Sequence, residues 1–81
     1  MHVKLRLFAS LREAASRSES RVQLREGATA EDAWQALVGE WPILAPRRAS
    51  LAVAVNRSYT SFETVLQDDD EVVFIPPVSG G

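Results

Sequence analysis

Val72-Val73-Phe74-Ile75 constrains the fold more than any other segment of this chain. Four apolar residues in a row leave a strand no polar face. Such a strand belongs in the middle of a sheet, covered on both sides. Pro76-Pro77 closes it, because proline cannot continue a central ladder. The strand lies near the end of an 81-residue chain, which has room for one core only. A second strand lies near the beginning. Val3 to Phe8 alternates with period two, with Val3, Leu5 and Leu7 on one face and Lys4, Arg6 and Phe8 on the other. Phe8 is then an apolar residue on a polar face. A central last strand suits a place beside the first.

The segments between supply the remaining parts. Ala9 to Ala15 lacks glycine and proline and reads as a short helix. Ser16 to Ser20 reads as loop, and Arg21 to Arg25 as a second strand closed by Glu26-Gly27. The clearest helix follows. Thr29 is a good N-cap, with Glu31 and Asp32 in the first turn. Ala30, Ala33, Trp34, Leu37, Val38 and Trp41 form one apolar stripe at helical spacing. Pro42 stops this helix, and residues 42–50 read as a loop containing Arg47-Arg48. Leu51 to Val55 is a third strand, Asn56 to Ser58 a turn, and Tyr59 to Phe62 a short edge strand. Asp68-Asp69-Asp70-Glu71 is a turn of acids. One amphipathic helix over a mixed sheet of four or five strands, with its last strand central, is a β-grasp (ubiquitin-like) α+β domain. We expect it to span residues 1–77, with 78–81 as an extended C-terminal tail.

Composition removes most chemistry. There is no cysteine, which excludes a disulfide scaffold, a cysteine zinc site and a cysteine nucleophile. One histidine, His2, leaves no catalytic triad and no histidine-rich metal site. A net charge of −2 argues against nucleic acid as a partner. No apolar run approaches the roughly 20 residues of a membrane span, so no membrane partner and a cytoplasmic location are expected. No metal site is expected either. The acidic turn lacks a Ca²⁺-loop spacing and reads as solvated. Trp34 and Trp41 read as core, His2 and Arg47-Arg48 as surface, and Asn56 as serving its turn.

What remains is the ending, Val78-Ser79-Gly80-Gly81. The bland reading is a frayed terminus. The functional one rests on a buried strand feeding a root stiffened by Pro76-Pro77. Extended, four residues reach about 13 Å. Glycine has no Cβ, so a partner can close a narrow channel on the backbone. The terminal carboxylate is unreactive until activated. Attack on the α-phosphorus of ATP would make it an acyl-adenylate. A sulfur nucleophile would convert that to a thiocarboxylate, and an amine would convert it to an amide.

Val3 to Ala9 with Leu11-Arg12-Glu13-Ala14 resembles the opening of the MoaD family, the small subunit of molybdopterin synthase. Ala54-Val55-Asn56 is similar to its middle strand and turn. Asp70-Glu71-Val72, Phe74 and Pro76-Pro77-Val78-Ser79-Gly80-Gly81 resemble its ending. Asp69 departs from the family's usual glycine. The resemblance implies a sulfur carrier that is not itself the catalyst. Gly81 would be adenylated by a ubiquitin-activating-type adenylyltransferase, which uses the ATP, and then loaded by a sulfur donor as a thiocarboxylate. It would donate sulfur to precursor Z in molybdenum cofactor biosynthesis. Pro77, Val78, Ser79 and Gly80 would insert into the large subunit, in a heterotetramer. Phe8, Arg12, Tyr59 and Ile75 match the docking patch; the bland reading of each is sheet packing. No bound cofactor is implied. Two alternatives share the tail: a carrier for tRNA thiolation or another sulfur pathway, and a ubiquitin-like protein modifier. A third is an interaction domain with an incidental ending. Lys4, the one lysine, makes the chain a poor conjugation acceptor.

Overall fold

The structure is a computed structural model that describes residues 1–77. The expected tail, Val78 to Gly81, lies outside the described residues. The elements in order are β1 (His2–Leu7), α1 (Ala9–Ala15), β2 (Glu19–Gln23), α2 (Ala30–Glu40), a 3₁₀ segment (Pro42–Ser50), β3 (Ala52–Val55), β4 (Ser58–Thr60) and β5 (Glu71–Ile75). The five strands form one sheet in the order β2-β1-β5-β3-β4. β5 is central, parallel to β1 and antiparallel to β3, as its unbroken apolar run demands. The β-grasp expectation holds, with five strands.

Alternation sorts the sheet into two faces. Val3, Leu5, Leu7, Val53, Val72 and Phe74 are all at most 1% exposed and point toward α2. The helix answers with Ala30, Ala33, Trp34 and Leu37. Trp34 meets Phe74 edge-on at 5.1 Å between ring centroids, and Phe62 stacks on the same ring at 6.1 Å. Burying side chains of this size contributes about 1.5–3 kcal/mol each. The stripe fades toward the end of α2. Val38 and Trp41 are only partly buried, and the guanidinium of Arg17 lies 4.8 Å from the Trp41 ring.

Thr29 starts α2 through a reciprocal cap. Its hydroxyl accepts from the Asp32 N–H at 3.3 Å, and its own N–H donates to Asp32 Oδ2 at 2.9 Å. That backbone hydrogen bond, with a second from the Thr29 hydroxyl, holds the Asp32 carboxyl below its ordinary range.

Most strand ends differ from expectation by one or two residues, and three differences have a clear physical reason. β2 begins two residues earlier, because Ser20 pairs with Leu5 and is buried on the core side. β4 ends at Thr60, since the chain must leave the edge for Phe62 to reach Phe74. Residues 42–50 are a 3₁₀ segment rather than an irregular loop. Its anchor is Leu44, fully buried in the core. Nor is Arg48 merely solvated. Its side chain donates to Glu31 Oε1 at 2.7 Å from Nε and lies 3.4 Å over the Phe62 ring. The hydrogen bond from Arg48 lowers the Glu31 pKa despite partial desolvation.

Candidate functional site

The buried residues of both helices and the 3₁₀ segment all belong to the core on one side of the sheet. The other face is built by the remaining strand positions. Register fixes its rows. Arg6 pairs with Val73, Val73 with Ala54, and Ala54 with Tyr59. One row thus crosses four strands from a cation to an aromatic ring. Beside it, Ile75 pairs with Ala52. Along this row and the Ile75–Ala52 pair beside it, β5, β3 and β4 present apolar residues, whereas β2 and β1 present charged ones and Glu71 stands at the far end of β5. Tyr59 is 75% exposed and Phe8 42% exposed. These are large apolar groups left to solvent in a small domain, the kind of patch that marks a partner surface.

Of the four residues matched to the docking patch, three gather here. Ile75 and Tyr59 lie on the open face by register. Phe8 follows β1 in extended conformation as the residue before α1, and the Arg6 guanidinium lies 5.7 Å from its ring. Arg12 is exposed on α1, which packs on the 3₁₀ segment; no strand register brings it to this face. Arg6, Val73 and Ala54 were not singled out from the sequence. The alternation that marked Phe8 as outward also marked Arg6, so the signal was present. Arg6 Nε is buried without a hydrogen-bond partner among the described residues, although its guanidinium lies 3.7 Å from Glu71.

β5 delivers the chain to the tail root. Ile75 and Pro76 are half-buried and Pro77 is exposed. The expected site residues Val78, Ser79, Gly80 and Gly81 lie outside the described residues. At the other end of β5, the acidic turn serves structure. Asp70 Oδ2 accepts from the Gln67 N–H at 2.7 Å, and Asp68 Oδ1 accepts from the His2 N–H at 2.8 Å. Asn56 bridges two turns, donating to Asp70 Oδ1 at 2.8 Å and accepting from the Glu71 N–H at 3.0 Å. Asp69 adopts the left-handed backbone, φ 67°, so the turn forms where the family more often has glycine. Among the described residues no group of three histidine, cysteine or acidic side chains is arranged to hold a metal, and no helix is long and apolar enough to cross a membrane.

The family model described as the ThiS family matches residues 5–81. The chain belongs to the ThiS family. A molybdopterin synthase sulfur carrier subunit of Arabidopsis thaliana is 32% identical over 81 residues, covering all of this chain and 84% of that protein. Small archaeal modifier protein 1 of Haloferax volcanii superposes with a TM-score of 0.93 at 32% identity, over the whole of both chains. A chain from the Helicobacter pylori complex of molybdopterin-converting factor subunits 1 and 2 shares the fold, with a TM-score of 0.70 at 23% identity over both full chains. The MoaD resemblance is borne out: this ThiS-family chain is a sulfur carrier of the molybdopterin-synthase type, a carrier subunit rather than a catalyst.

Proposed function

We propose that this ThiS-family protein carries sulfur on its last residue and docks on a synthase large subunit through the open sheet face. The observation that supports this reading best is the pairing of β5 between β1 and β3. A strand hydrogen-bonded on both sides gives the tail a fixed origin next to the apolar patch of Phe8, Ile75 and Tyr59. Docking through that patch would aim residues 78–81 at one point on a partner, and their small side chains would let a channel close around them. The chemistry balances simply. A carboxylate oxygen of Gly81 attacks the α-phosphorus of ATP and displaces pyrophosphate. A sulfide-level nucleophile from the donor then displaces AMP, leaving a thiocarboxylate. The thiocarboxylate sulfur then attacks a carbon of precursor Z on the large subunit and displaces an oxygen leaving group; water cleaves the acyl C–S bond, which leaves the sulfur on the pterin and returns the Gly81 carboxylate.

The test is the intact mass after incubation with ATP, the adenylyltransferase and a sulfur donor. A gain equal to exchange of one oxygen for sulfur, localised to Gly81, is expected. No gain, beside a control carrier that is loaded in the same mixture, would overturn the reading. A second reading is favoured by the superposition on the archaeal modifier protein: the same activated tail would form an amide with a lysine of another protein. Lysine-linked adducts that require Gly81 would support it.

A further inference from the structure

A depression of about 540 Å³ opens on the sheet at the end away from the tail root, lined by His2, Lys4, Arg21, Arg57, Asp69 and Glu71 among others. Lys4 and Arg21 face each other across β1 and β2, and Lys4 faces Glu71 across β1 and β5. His2 lies two residues before Lys4, on the same face. Arg57 is held at the β3–β4 turn with φ 71°. The depression is therefore continuous with the open face already described. Its charge differs from that of the chain, whose net value is −2. Glu71 is taken up by Arg6 at 3.7 Å. Lys4 has only a long, exposed contact of 3.9 Å with Glu19. Among the described residues, no carboxylate lies within ion-pair distance of Arg21 or Arg57.

We propose that this depression receives an acidic peptide segment of the protein that docks on the open face. The proposal rests on the docking reading given above. The layout of charge selects a peptide over a compact anion. Arg21 on β2 and Arg57 beyond β3 flank three strand spacings, about 14 Å, with Glu71 and Asp69 between them. A small dianion placed centrally meets a carboxylate. An extended segment of about five residues spans the same distance and sets its acids on the two arginines, whose planar forks suit carboxylates. Apolar contact at one end of the face and ion pairing at the other leave one orientation for the partner, which aligns the tail.

The probe is fluorescein-labelled hexaglutamate, followed by anisotropy at low salt against the full chain. Saturable binding is expected, weakened about tenfold by the double variant Arg21→Glu/Arg57→Glu and by salt that shortens the screening length. Ile43→Ala, at an exposed position of the 3₁₀ segment away from this face, should bind as the parent does. Circular dichroism checks the fold, and Arg21→Gln/Arg57→Gln replaces the reversal variant if that one is unfolded. Absence of saturable binding overturns the proposal, and so does equal binding by the folded arginine variants. Displacement of the peptide by inorganic phosphate at matched charge overturns it in favour of a small-anion site. Failure of the docking reading shows separately, as unchanged affinity of Phe8→Ala for the large subunit, and leaves the peptide result standing.

Discussion

Asp69 and Asn56 both hold left-handed backbone, at φ 67° and 49°, yet replacement by glycine should act in opposite directions. The Asp69 backbone N–H donates to the His2 carbonyl at 2.7 Å, a bond glycine keeps. Its own side chain has no hydrogen bond among the described residues. Asp69→Gly relieves the left-handed strain and gives back part of that gain to a freer unfolded chain, for a net stabilisation of about 0.5 kcal/mol. Asn56 uses its amide to tie the β3–β4 turn to the acidic turn. Asn56→Gly should cost about 1 kcal/mol, because two exposed hydrogen bonds outweigh the relief. Urea midpoints of the two variants measure both, and equal signs would refute the distinction. The sequence already marked both positions, Asn56 as a turn residue and Asp69 as a departure from the glycine of the family it resembles. It showed nothing of the amide bridge, which joins residues 14 and 15 apart and exists only once β3 and β5 pair.

α2 was the most legible element, because its signals are local: a cap, early acids and a spaced apolar stripe. The 3₁₀ segment was the least. Two prolines and two arginines look like loop, and nothing nearby in sequence shows that Leu44 is swallowed by the core or that Arg48 reaches Glu31 and Phe62. That clasp makes α2 and its successor sensitive to acid. Glu31 and Asp32 both titrate below their ordinary values of 4.5 and 3.8, so folding favours their ionised forms. Their contribution is complete above the unfolded range and is lost as pH falls through those values and beyond. Stability should therefore decline from about pH 5 downward, with a shallower decline in Arg48→Gln. Urea midpoints at successive pH values test this; parallel curves for parent and variant would exclude the clasp as the cause. At neutral pH, Arg48→Ala should cost about 1–2 kcal/mol, through lost stacking on Phe62 and a half-exposed ion pair.

At the scale of the molecule, structure and delivery separate. Deletion of Gly81 should abolish sulfur donation and leave the thermal midpoint nearly unchanged, because terminal residues add little stability. A large fall in midpoint would give the tail a structural role instead. Phe8→Ala should weaken large-subunit binding by about 1–3 kcal/mol, as for an aromatic anchor in an interface, without unfolding the chain; titration calorimetry reads the difference. The β-grasp order was legible from two strands, the alternating first and the unbroken last. The proposed docking face was half legible: Phe8 stood out as an apolar residue in a polar series, whereas the row from Arg6 to Tyr59 needed the register. The central place of β5 also sets a schedule. Every other strand is made before it, yet β1 and β3 have no shared neighbour until residues 71–75 leave the ribosome. A nascent chain thus holds an open, two-part sheet until its final stretch arrives. The strand that completes the fold is the one that leads into the proposed reactive end, so a chain stopped short of β5 lacks the closed sheet and the tail together.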